Sequence, residues 1–170
     1  CISVLQALIL LVVSRARLPP PAAAGTSHDG RSLGVIARTP TFAIAVLGAL
    51  ASWGLMSLLM NATPLSMERH HHAFSDTADV IQWHVLGMYV PSFFTGSLIQ
   101  RTGARPILLL GVGLTGLSAW INMGGTELMS YMVGLTVLGL GWNFMFVSST
   151  TMLTGVYETD GERARVQSAN

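Results

Sequence analysis

The sequence predicts an all-α fold, a polytopic transmembrane helix bundle, and three observations predict it. Charged residues make up 10% of the 170-residue chain and hydrophobic ones 51%, whereas soluble domains carry about 25% charged residues. The few charges sit in short clusters separated by four long uncharged runs, and about 20 predominantly apolar residues suffice to cross a bilayer as a helix. The arginines, finally, alternate between loops as membrane topology requires.

Each element follows from this pattern. Residues 1–13 are mostly apolar and read as the end of a truncated transmembrane helix; the chain begins with Cys1, not Met, as expected of a piece of a longer protein. A secretory signal peptide is disfavoured because Arg15 and Arg17 follow the apolar stretch instead of preceding it. Residues 14–40, with Pro19, Pro20, Pro21 and the small residues after them, read as a flexible connector. Residues 39–67 carry no charge and hold a predicted span at about 41–61. The uncharged runs 80–100 and 106–126, of 21 residues each, predict spans at 79–100 and 106–126. The 30-residue run 128–157 predicts the fourth. Residues 158–170 are expected to form a loop before a missing helix.

Orientation follows from counting arginines. Arg15, Arg17, Arg31, Arg38, Arg101, Arg105, Arg163 and Arg165 fall on one side of the predicted bundle and Arg69 alone on the other. The rich side, with residues 14–40, 101–105 and 158–170, is predicted cytoplasmic, in a multi-pass protein of the inner (cytoplasmic) membrane. Trp83, Trp120 and Tyr131 are then expected near the outer interface and Tyr157 near the inner one. The lipid bilayer is one partner. A net charge of +1, with no lysine, gives no attraction for nucleic acid, and none is expected to bind. The one cysteine excludes a disulfide framework.

Two motifs have tempting readings. Gly111, Gly113 and Gly116 match GxGxxG, but the run lies inside an uncharged 21-mer, where glycines serve close helix packing. Ala45/Ala49, Gly48/Ser52 and the set Gly134, Gly139 and Gly141 read the same way. His70, His71 and His72, near Glu68, Asp76, Asp79 and His84, have the chemistry to hold Zn or Cu. Adjacent histidines in an extended loop point in different directions, so a solvated cluster and no metal site is expected. The sequon Asn61-Ala62-Thr63 lies too close to the membrane boundary to carry weight.

The loop with Gly96, Arg101, Gly103 and Arg105 is more informative. Its Gly-x-x-x-x-Arg-x-Gly-x-Arg pattern resembles the signature that the major facilitator superfamily carries between its second and third helices and repeats between its eighth and ninth. Gln100 and Ala104 depart from that signature and favour the second copy. The resemblance extends over essentially the whole chain. Segments 61–67, 80–96, 141–146 and 162–167 are similar to a bacterial subgroup, some of whose members are called riboflavin transporters. It implies part of a twelve-helix fold: the end of helix six, the central loop and helices seven to ten. It implies a secondary active transporter working by alternating access together with the remaining helices of the full-length protein, on a small-molecule substrate, a flavin-like one included. It implies no enzyme and no cofactor. The alternative is a small helical membrane subunit or scaffold without transport.

Polar residues inside a membrane face a cavity or another helix. His84, Met88, Pro91 and Thr95 share one helical face, as do Asn143, Val147, Thr150 and Thr154. Pro91 is a natural kink point. The resemblance implies that helices seven, eight and ten line the cavity, so Gln82, Trp83, His84, Trp142, Asn143 and Thr150 are the candidates for the substrate path. Ordinary helix packing is the competing role for each. No catalytic residue is expected, for the complete spans hold no nucleophile–base pair.

Overall fold

The structure, a computed structural model, describes residues 33–156. The segment 1–13, expected to end a truncated helix, most of the expected connector and the expected loop 158–170 lie outside the described residues, as do Arg163, Arg165 and Tyr157. Among the described residues six helices follow one another: α1 (Leu33–Ala37), α2 (Pro40–Arg69), α3 (Phe74–Tyr89), α4 (Ser92–Thr102), α5 (Ala104–Gly124) and α6 (Leu128–Thr154). No strand occurs among the described residues. Three of the helices, α2, α5 and α6, are long and apolar enough to cross a membrane.

Helix α2 starts at Pro40, where the missing N–H would have had no partner and the fixed φ suits a helix. It continues for 30 residues, through Pro64, and so outruns the predicted span 41–61 by eight residues. Asn61 therefore lies within the helix, its amide donating to the Ser57 carbonyl at 2.6 Å. After His70 the chain turns through His71 at φ 60°. Asp76 then opens α3 by accepting the Ala73 N–H at 3.2 Å, an acceptor and a negative charge where a helix start wants both.

The predicted span 79–100 is two helices. Pro91 has no N–H to offer the carbonyl four residues back, and the run divides there into α3 and α4. Val90 (φ −58°, ψ −43°) and Pro91 (φ −63°, ψ −24°) keep helical angles, so the chain bends without reversing. It reverses at Gly103, with φ 90° and ψ 159°, a left-handed φ that a side chain would strain. Gly103 caps α4 by donating its N–H to the Ile99 carbonyl at 2.8 Å and starts α5. This is the structural reason for the glycine of the arginine loop.

The bundle alternates in direction. At one end Ser66 and Tyr131 share a hydroxyl–hydroxyl bond of 2.7 Å, and His72 Nε2–H donates to the Thr126 carbonyl at 2.8 Å. At the other, Ile36, Ala45, Leu108, Leu153 and Val156 form a buried apolar cluster. Tyr131, expected at the outer interface, is instead buried between helices, where the bond to Ser66 satisfies its hydroxyl. Trp83 and Trp120 are well exposed.

The last helix is the hub: α6 packs against α2, α3 and α5, which touch one another sparsely. Small residues make the close approaches. A Cβ on Gly139 would stand 2.5 Å from the His84 carbonyl oxygen and 2.9 Å from the Met88 nitrogen, and one on Gly141 3.0 Å from the Gly111 carbonyl oxygen. On α2 the face of Ala45, Ala49, Ser52, Met56, Thr63 and Met67 is buried, while Leu47, Leu50, Leu58 and Leu65 face outward, as lipid contact demands. Gly111 packs against α6, and Gly113 and Gly116 face open space. All three lie within one unbroken helix, whereas a dinucleotide site needs its glycines in a strand-to-helix turn.

Candidate functional site

One polar stripe meets α6 at Asn143, while Thr150 and Thr154, which share a helical face with Asn143 by spacing, are exposed. His84, Met88, Pro91 and Thr95 are all buried on the face that α3 and α4 turn to α6. Asn143, opposite them, is 1% exposed. Gly139 brings α6 within backbone distance of α3, and one helical turn later Asn143 arrives at the bend. Its Nδ2 donates to the Met88 carbonyl at 2.9 Å and to Ser92 Oγ at 2.6 Å. Its Oδ1 lies 2.6 Å from Thr95 Oγ1, whose single proton is shared with the Pro91 carbonyl at 2.7 Å. The Met88 carbonyl, which can only accept, fixes the orientation of the amide. Both donors and the acceptor of Asn143 are thus engaged within the protein.

Trp142 turns to α2. Its ring stacks on Phe146 with centroids 5.0 Å apart and planes 7° from parallel, and Trp53 meets it edge-on at 5.3 Å and 84°. Trp53 also meets Phe146 at 6.0 Å and 86°, while Met56 and Met88 pack with Trp142 from α2 and α3. The Trp142 indole N–H is buried without an acceptor, as are the hydroxyls of Ser148 and Ser149. Trp53, by contrast, is 48% exposed. It lies 13 residues into α2, about 20 Å along the axis, far from the interfacial level where indoles gather.

The remaining candidates separate. His84 is fully enclosed, donating Nδ1–H to the Leu135 carbonyl at 2.8 Å, with Nε2 unpartnered. Gln82 is exposed. Trp83, on another face of α3 from His84, lines an outward apolar groove of about 410 Å³ with Leu86, Val90, Phe94, Val137 and Leu140. Thr150 is exposed on α6 one turn beyond Phe146, to whose carbonyl its hydroxyl donates at 2.9 Å. Gly96 and Arg101 lie on α4, Gly103 at the turn and Arg105 in the first turn of α5, all exposed. Among the described residues no three His, Cys, Asp or Glu side chains come together in a way that could hold a metal ion. His72 is instead engaged with Thr126 and edge-on to Tyr131 at 5.6 Å. Trp53, Phe146 and Ser92 escaped the sequence reading. A tryptophan in the middle of an apolar run, and a serine directly after the kink proline, were the signals present.

No family model and no solved structure matches the chain. Three curated relatives do. The chain is 42% identical over 167 residues, 98% of its length, to the riboflavin transporter RfnT of Brucella anthropi. It is 30% identical over 147 residues, 85% of its length, to the uncharacterized MFS-type transporter YdeG of Bacillus subtilis. A second uncharacterized MFS-type transporter of that organism, YddS, is 32% identical over 102 residues, 58% of the chain and 23% of that protein. The chain spans 41% of the first relative and 32% of the second. Fold and relatives together identify it as a homologue of transporters of the major facilitator superfamily, a multi-pass membrane protein. Its all-α architecture is consistent with part of such a helical bundle.

Proposed function

We propose that the chain is part of a secondary active transporter that moves a small solute across the inner membrane by alternating access, and that the solute passes along the outward side of α2 and α6 that carries Trp53. The observation that carries this reading is the mid-span cluster of Trp53, Trp142 and Phe146. A half-exposed indole at that depth is poorly placed against lipid tails but well placed against a planar solute in a polar cavity. The Trp142 N–H is buried without an acceptor, which costs about 1–3 kcal/mol, and it meets a solute carbonyl or ring nitrogen once α2 and α6 part in the transport cycle. The name of the Brucella anthropi relative makes riboflavin the first solute to test. Thr150 lies farther along the same side of α6 and extends the path toward the cytoplasmic end. Asn143 supports the path from behind, and Gln82 and Trp83 lie off it. Helices beyond the described residues supply the other wall.

The test is uptake of labelled riboflavin by cells expressing the full-length protein. Trp142→Ala lowers uptake about tenfold at normal membrane abundance, the equivalent of one lost stacking contact of ~1–3 kcal/mol. Trp53→Phe, which keeps a ring, loses less. Uptake that is indifferent to both substitutions, with the protein present in the membrane, removes the cluster from the path. No uptake of riboflavin or other planar heteroaromatic compounds favours the scaffold.

A further inference from the structure

We propose that Asn143 is a positioning residue: it clamps the bend at Pro91 and so sets the angle at which α4 leaves α3. Four observations carry this beyond the transport reading, on which it does not depend. The proline removes the N–H that would have held the Gly87 carbonyl and loosens the ladder on the bent side. Gly87 and Gly139 bring the two backbones together just before that point: a Cβ on Gly87 would stand 2.6 Å from the Thr136 carbonyl oxygen. One turn on, a single side chain of α6 bonds both sides of the bend, Met88 before it and Ser92 and Thr95 after it. Every hydrogen-bonding group of that side chain is used, and the residue is 1% exposed.

A bend can in principle take a range of angles, because Val90 and Pro91 keep ordinary helical torsions and nothing in their backbone fixes one. The clamp does. Its partners are a backbone carbonyl just before the kink and two hydroxyls after it, so a change of bend angle breaks several bonds together. The helix pair then behaves as a joint with a preferred setting. The clamp is neutral, so its hold is expected to be insensitive to pH.

The experiment measures α4 against α6 in the full-length protein, with Cys1 replaced by Ser and spin labels at Gln100→Cys and Thr151→Cys, both exposed positions. Gln100 lies nine residues past Pro91, so a 20° swing moves it by about 5 Å. Asn143→Leu keeps the volume and removes the bonds; the label distance lengthens by about that amount or its distribution broadens to match. Thr95→Val shifts it in the same direction and by less, and Thr95→Ser, which keeps the hydroxyl, restores the parent distribution. A folded Asn143→Leu protein with the parent distribution overturns the proposal. Should that variant fail to fold, the Thr95→Val and Thr95→Ser pair decides by the same criterion, parent-like distances in both overturning it. The label distances need no substrate, so they are read whether or not riboflavin is carried.

Discussion

Gly111 and Gly113 are two residues apart on one helix, and the same substitution has opposite consequences at the two. A Cβ on Gly111 would press within 2.8 Å of the Gly141 carbonyl oxygen and the Met145 nitrogen, both backbone, while one on Gly113 meets nothing. Gly111→Ala is expected to lower the thermal midpoint of the purified protein, because α5 must move away from α6. Gly113→Ala should leave it unchanged or raise it, by up to ~1 kcal/mol of helix propensity. A thermal-shift assay on the two variants decides. At His84 the expectation is also structural. His84→Ala removes the bond to Leu135 and opens a void, for a loss of ~1–3 kcal/mol of stability read in the same assay. At this scale the sequence revealed which residues are special and not what they touch. The spacing of His84, Met88, Pro91 and Thr95 marked one face by helical periodicity alone. That Asn143 would meet this face, and spend all its hydrogen bonds there, depends on helix packing that no spacing within α6 encodes.

Elements were legible where a charge or a proline ends them. The starts of α5 and α6 follow the arginine loop and Glu127, and the bend at Pro91 falls where the ring forbids a ladder bond. The end of α2 was missed by eight residues because Asn61, Pro64 and Ser66 look like a boundary by composition. In the structure Pro64 is carried inside the helix, with Thr63 Oγ1 donating to the Leu59 carbonyl at 2.8 Å one turn earlier. Packing between elements rests on small residues, which sets a further expectation. Gly139→Val places a branched side chain against the His84 and Met88 backbone, a spot tighter than flexible side chains could relieve. The folded yield should fall sharply relative to Gly113→Val, compared by size-exclusion chromatography in detergent. Equal monodisperse yields from both would mean that α3 and α6 lie farther apart than 2.5–2.9 Å of clearance implies.

For the molecule as a whole, charge placement alone gave the alternation of directions. The structure gathers Ser66, His72, Thr126 and Tyr131 at one end and Ile36, Leu108 and Leu153 at the other. On this topology a membrane-impermeant maleimide added to cells with a permeabilised outer envelope should label His71→Cys and not Thr102→Cys until the inner membrane is opened. Reversed labelling would invert the orientation read from the arginines. What the sequence did not announce is the rank of the helices. The runs that became α2, α5 and α6 look alike in composition, yet α6 is the most buried of the three while α2 and α5 present leucines and Trp120 to the outside.

That rank has a consequence for biogenesis. The hub is the last of the described helices to be synthesised, and the helices made before it have little hold on one another. Until about residue 154 has left the ribosome, α2, α3, α4 and α5 lack the helix they share as a partner, and their faces toward it are unmatched. Assembly is therefore a closing step and not a gradual accretion. A nascent chain stalled before Leu128 should be an easy target for membrane proteases, whereas one stalled after Gly155 and the ribosome-tunnel length beyond it should resist them.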